Sequence, residues 1–259
     1  MFEEFHTLRE TILSHGSGKD IVYLPNRGNW GDALIREGTL RFFSDSQITF
    51  TGLKKVNVKT VSQLGEGKLI LIGGGGAWCS IWDHSMGILE SLASKHTVIV
   101  LPSTFELKPR FKNTTYFSRD RFESMENVPG SFFCHDMAFY LGRKYQFKKH
   151  DRGKRNGFFF RTDPESKFSM KSMKSNQDIS AKGNERSDVR RFFRIIGKYE
   201  VIFTDRLHVS IAGCLMGKVV HFYPGSYFKN RAVYRSSMEF QFKRIYFHES
   251  LGEEIYPFL

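Results

Sequence analysis

VIFTDRLHVSIAGCLMGK, residues 201–218, decides how this chain is read. An apolar run, Val201 to Phe203, breaks into a polar cluster of Thr204, Asp205, Arg206 and His208. Apolar residues then resume four apart, at Leu207, Ile211 and Leu215, the spacing of one helix face. A short buried strand feeding a helix is half of a parallel α/β unit, and open sheets of that kind bind ligands at the carboxyl ends of their strands. The polar cluster is therefore predicted to stand at a binding edge. Arg206 supplies a permanent cation whose planar fork suits carboxylate or phosphate. His208 can exchange a proton near neutral pH. A plainer reading makes Asp205 a helix cap, Arg206 its surface partner and His208 a filler of the first turn.

Two further strand-to-turn junctions lie upstream. In LILIGGGGAW, Leu69 to Trp78, an apolar strand runs into Gly73, Gly74, Gly75 and Gly76. Consecutive glycines forfeit backbone entropy, so they imply a sharp turn, close strand-to-helix packing, or room for a ligand against bare backbone. In PNRGNWGDALI, Pro25 to Ile35, Gly28 and Gly31 permit a tight turn before an amphipathic segment that opens at Asp32, and Asn29 and Gly31, with Gly74 and Gly75, become candidates for substrate-binding loops. The N–H groups that open such a helix can bind an anion. The alternative is a loop with Asp32 as N-cap.

Working outward, strands are predicted at Ile21–Leu24, Leu69–Ile72, Val98–Leu101, Ser131–Cys134, Gly157–Phe160, Val201–Phe203 and Val219–Phe222. Helices are predicted over Glu3–Ser14, Asp32–Phe43, Asp83–Ser94, Asp188–Gly197 and Asp205–Met216. This alternation specifies an α/β fold with parallel sheets. The length of 259 residues suits two domains, read here as 1–145 and 156–259. A basic linker, 146–155, falls in LGRKYQFKKHDRGKR, where apolar periodicity lapses. The polar stretch Glu165–Asp188 is expected to be a mobile loop.

Hydrophobic residues at 40% and charged residues at 25% are ordinary globular usage, which excludes general disorder. Cys79, Cys134 and Cys214 are far apart and lack metal-ligand spacing, so neither a disulfide framework nor a metal site is expected. Charged residues interrupt the N-terminal segment, unlike a signal peptide, and no apolar run is long enough to cross a bilayer. A cytoplasmic protein is expected. The net charge of +12 points to an anionic partner: nucleic acid, an anionic membrane or a phosphorylated small molecule. Nucleic acid is not expected, because no recognised binding motif accompanies the charge. The basic linker could instead hold the protein peripherally at anionic lipid.

Other candidates are less sharply marked. Arg161 closes the strand GFFFR and could hold an anion. Arg119 and Asp120 read as a strand end and a helix cap, and His135 and Asp136 as caps. Trp78, Tyr223, Tyr227 and Asn230 are candidate acceptor contacts, since aromatic faces suit sugar rings. A packed loop explains them equally.

Taken in order, N-W-G-D at 29–32, the glycines at 73–76, S-R-D at 118–120, H-D-M-A-F at 135–139 and T-D-R-L-H at 204–208 resemble the polysaccharide pyruvyl transferase family. The resemblance spans roughly residues 21–235, and T-D-R-L-H is its most specific element. It implies two Rossmann-like domains in a GT-B-like arrangement with an interdomain cleft. The implied donor is phosphoenolpyruvate, and the implied acceptor is a sugar of a lipid-linked oligosaccharide or polysaccharide, giving a pyruvate ketal, typically 4,6-linked. Motif match places Asp32, Arg206 and His208 in catalysis, with Arg206, His208, Arg161 and Asp205 on the donor. No cofactor is implied beyond the co-substrate. A nucleotide-sugar glycosyltransferase and a noncatalytic polyanion-binding protein are the rival readings.

Overall fold

The computed structural model describes residues 3–53, 56–143, 155–168, 170 and 173–258. Two compact units emerge. The first comprises Met1–Arg27 and Ile35–Tyr140, the second Gly28–Leu34 and Leu141–Leu259. Asp32, expected above on the N-terminal domain, falls with the second unit. Of the expected basic linker, residues 146–154 lie outside the described residues, and only the exposed Arg155 is seen.

In chain order, the first stretch runs α1 (Glu3–Gly16), β1 (Ile21–Leu24), α2 (Trp30–Asp45), β2 (Thr51–Gly52), α3 (Val58–Val61), β3 (Leu69–Ile72), α4 (His84–Leu92), β4 (Thr97–Ser103), β5 (Thr114–Ser118), α5 (Glu123–Asn127) and β6 (Phe132–Phe133). All strand pairings are parallel, in the order β2-β1-β3-β4-β5-β6. Both faces of this sheet are covered, which is why its strands are continuous apolar runs. Leu69 and Leu71 pack with Phe5, Leu8 and Phe43 on one side. Ile70 and Ile72 pack with Trp78, Leu89 and Leu92 on the other. The strand order reverses between β1 and β3, the kind of position where open sheets form crevices. The glycine run follows β3 there. A side chain on Gly73 would meet the Asn26 amide nitrogen at 2.5 Å, and one on Gly74 would collide with the Pro102 carbonyl oxygen. The glycines thus let neighbouring backbones approach one another. S-R-D and H-D-M also belong to this scaffold: buried Arg119 pairs with buried Asp136 at 2.6 Å. Asp136 accepts the Ala138 amide (2.8 Å) and Asp120 the Ser124 amide (3.0 Å), so both tie down the turns that follow them, whereas Phe122 occupies the N-cap of α5 and His135, also expected to cap, faces Glu4 at 3.4 Å.

The second unit continues β7 (Asn156–Phe159), α6 (Val189–Gly197), β8 (Val201–Thr204), α7 (Leu207–Leu215), β9 (Val219–Phe222), α8 (Lys229–Ser237) and β10 (Ile245–Phe247). Its parallel sheet winds in one direction, β10-β9-β8-β7. Gly213 allows α7 to lie close on the sheet, since a Cβ there would meet Val220 at 2.8 Å and Ile202 at 3.0 Å. Cys134 of the first unit and Cys214 of the second are buried free thiols. The segment expected to be a mobile loop is instead tied to the end of β7. Asn176 brackets Phe160 through its amide and carbonyl (2.8 and 3.1 Å), and the Gln177 N–H donates to the Phe158 carbonyl (2.9 Å). One side-chain amide and one backbone N–H supply the ladder contacts that apolar periodicity would otherwise announce.

Candidate active site

The carboxyl ends of β7, β8 and β9 are stitched together by polar side chains. Thr204 donates its hydroxyl to the Phe159 carbonyl (2.7 Å) and accepts the Arg206 N–H (2.9 Å), which sets the turn leaving β8. Asp205 accepts the Arg161 N–H through Oδ1 at 2.7 Å, joining β8 to β7. Asn230 donates to the carbonyls of Asp205 (2.7 Å) and Tyr223 (2.9 Å), joining β8 to β9. Asp205 is fully buried, and its Oδ2 has no hydrogen-bond partner. Burial pushes its pKa up to about 7, against the lowering effect of Arg161.

Around this turn lies a buried ion cluster. Arg206 makes a two-point contact to Asp178, Nε to Oδ1 at 2.9 Å and Nη2 to Oδ2 at 2.6 Å, and its Nη1 lies 2.8 Å from Asp163 Oδ2. Arg161 donates to Asp163 from Nε (2.7 Å) and Nη2 (3.1 Å) and to Glu165 from Nη1. Lys229 also pairs with Glu165. Burial alone would raise the Glu165 pKa, but Lys229 and Arg161 outweigh it and hold the group down at about 2. Arg161 moves the other way: burial would lower it, and Glu165 and Asp163 raise it. Three cations thus face four carboxyl groups, and if Asp205 is protonated the charges cancel.

N-W-G-D sits against the same edge. Asn29 caps α2, its Oδ1 accepting the Gly31 N–H at 2.7 Å, while Asp32 Oδ2 accepts the Asn29 N–H at 2.9 Å. This is a reciprocal capping box, so Asn29 is the cap and Asp32 its return partner. Trp30 anchors the box: its indole N–H donates to the Asp188 carbonyl (3.2 Å), and its ring meets Phe192 edge-on at 5.6 Å. Gly31 lies directly against His208, whose Nδ1 would be 2.5 Å from a Cβ at that position. Asp32 and His208 are both half-buried. Asn29, Gly31, Asp32, Arg161, Asp205, Arg206 and His208 therefore gather within the second unit.

The family model described as polysaccharide pyruvyl transferase matches residues 29–226, from the capping box past the T-D-R-L-H turn. The chain belongs to that family. Among solved structures, a functionally uncharacterised protein from Klebsiella pneumoniae subsp. pneumoniae NTUH-K2044 is similar at 25% identity and a TM-score of 0.77, over 96% of this chain and 100% of the other. No curated protein matches the sequence.

In this family member the remaining sequence candidates are placed differently. Gly74, Gly75 and Trp78 belong to the first unit. Three of the four candidate acceptor contacts are interior. Trp78 is 1% exposed and packs on Phe105, Tyr223 is 0% exposed and donates its hydroxyl to Glu254 (2.7 Å), and Asn230 is 0% exposed. They present no face to a sugar, because apolar packing or backbone carbonyls occupy them. Only Tyr227 is partly exposed, with the Lys229 ammonium 5.0 Å from its ring centre. Sequence reading missed Asp163, Glu165, Asp178 and Lys229. Asp163 and Glu165 stand two and four residues beyond Arg161, a signal that was present. Asp178 is 28 positions from Arg206 and gave none. Among the described residues, no cluster of His, Cys, Asp and Glu could hold a metal ion, and no helix is long and apolar enough to cross a membrane.

Proposed function

We propose that this family member transfers pyruvate from phosphoenolpyruvate to two hydroxyls of a sugar in a polysaccharide or cell-surface glycan, forming a ketal, the 4,6-ketal being the expected product. The observation that supports this reading most directly is the pairing of Arg161 and Arg206 through Asp163 beside the T-D-R-L-H turn, whose His208 lies against Gly31 of N-W-G-D, within the stretch that carries the family match. Phosphoenolpyruvate brings a carboxylate and a phosphate, both suited to guanidinium forks. Protonation of its methylene carbon makes the adjacent carbon electrophilic, and a first sugar hydroxyl adds there as it loses its proton. Phosphate then departs, drawn off by the arginines, and the second hydroxyl closes the ketal with loss of its own proton. His208 and Asp32 divide these proton transfers. The reaction consumes one donor and one diol and yields one ketal and one phosphate.

The test is phosphate release from phosphoenolpyruvate in the presence of candidate glycan acceptors, with the ketal methyl group followed by NMR. Phosphate appearing together with the ketal methyl supports the reading. Turnover of nucleotide sugars in place of phosphoenolpyruvate would replace it with glycosyl transfer.

A further inference from the structure

The two arginines are not free to receive a donor as they stand. Arg161 and Arg206 are 4% and 5% exposed, and their side-chain nitrogens already meet carboxylates. A substrate anion added to this cluster would meet Asp163, Glu165 and Asp178 at like charge. One resident carboxylate must yield, and the geometry distinguishes which.

Asp178 is held by four hydrogen bonds, from Arg206 Nε and Nη2 and from the Thr162 amide (2.9 Å) and hydroxyl (3.0 Å), and its side chain is 6% exposed. Glu165 is shared between Arg161 and Lys229 with its side chain 4% exposed. Asp205 is wholly buried and takes the Arg161 backbone N–H. Asp163 alone bridges both guanidinium groups while its side chain remains 26% exposed. Its other tie is the Glu165 amide, at 3.1 Å to Oδ1.

We propose that Asp163 is the exchangeable counter-ion of the donor site, the carboxylate that an incoming phosphate- or carboxylate-bearing substrate displaces from Arg161 and Arg206. The inference rests on the reading of this edge as an anion site. Departure of Asp163 frees Arg161 Nε and Nη2 and Arg206 Nη1, three donors on two planar groups, matched to a small oxyanion. The outgoing carboxylate is already next to solvent, so exchange replaces one anion by another without stranding a buried charge. Asp163 thereby sets donor affinity and selects against anions too weak to compete with it.

The experiment is calorimetric titration of wild-type protein and of Asp163→Asn with phosphoenolpyruvate and, separately, with inorganic phosphate, alongside thermal melts. The amide keeps the size of the side chain and removes the competing charge, so binding of both anions is expected to tighten about tenfold, a change of ~1.4 kcal/mol. Equal or weaker binding by a variant that melts like wild type overturns the proposal. Tighter phosphate binding without any phosphoenolpyruvate binding keeps Asp163 as counter-ion and removes the donor reading instead. Hydrogen exchange on wild-type protein supplies a measurement independent of any variant. Saturating phosphate should speed exchange of the Glu165 amide as its acceptor leaves, and unchanged protection in a phosphate-bound sample counts against displacement.

Discussion

Asp205→Asn removes a carboxyl group whose folded-state pKa stands at about 7, against about 3.9 in an unfolded chain. Full burial and the partnerless Oδ2 account for the rise, and no solvent screening reduces it. Because the folded value is the higher, the folded protein binds more protons than the unfolded one between these limits. The wild type therefore loses stability as pH climbs from about 4 to about 7, and the loss is complete above that. A gap of roughly three pK units corresponds to about 4 kcal/mol. The amide can still accept the Arg161 N–H through its oxygen but carries no titration. Relative to wild type, the variant should thus gain about 4 kcal/mol between pH 4 and pH 8. With a urea slope of about 2 kcal/mol per molar, the midpoint difference should move by roughly 2 M. Urea unfolding of both proteins at a series of pH values, followed by the fluorescence of Trp30 in the second unit in a background with Trp78 and Trp82 replaced by Phe, measures this. A difference that stays flat from pH 4 to pH 8 would refute the reasoning and mean that Asp205 is ionised in the folded protein throughout.

Glu165 carries the opposite sign: its pKa is held at about 2, so its stabilisation is present above about 4.3 and is lost as pH falls toward 2. Glu165→Gln should be destabilised at pH 7 and should converge on wild type in melts near pH 2. Gly31→Ala should push His208 aside, since the new methyl would sit 2.5 Å from Nδ1, and lower turnover by about 100-fold or more while the protein stays folded by circular dichroism. Arg206→Ala strands Asp178 without its two-point partner and should cost about 3–5 kcal/mol of stability in chemical unfolding; Arg206→Lys should recover only part, because an ammonium cannot span both carboxylate oxygens.

The strands Ile21–Leu24, Leu69–Ile72 and Val219–Phe222 were legible to the residue, because strands of a covered parallel sheet must be short apolar runs. Thr114–Ser118 and Ile245–Phe247 were not. The first opens with two threonines, and the second has only three residues, of which Tyr246 is exposed. The cores of the five predicted helices read well and their ends less so, α2 beginning two residues before Asp32 because Asn29 is its cap, while α3, α5 and α8 were not read. Within the site, Arg161, Arg206 and His208 were legible because they follow an apolar strand directly, whereas Lys229, beyond a loop, was not. Of the carboxylates only Asp205 was, since Asp178 reaches Arg206 from a polar segment held by turns and side-chain hydrogen bonds rather than by an apolar period. The glycine run illustrates the reverse case, a conspicuous pattern explained by one backbone passing close to another.

The buried thiols bear on how the two units could be followed separately. Burial raises the pKa of both Cys134 and Cys214, so each stays protonated and inert toward alkylating reagents while its surroundings hold. One lies in each unit, in peptides that mass spectrometry can tell apart. A timed pulse of iodoacetamide across a denaturant series would therefore record two opening equilibria from a single unlabelled sample. The natural sequence already carries a reporter for each half of the molecule.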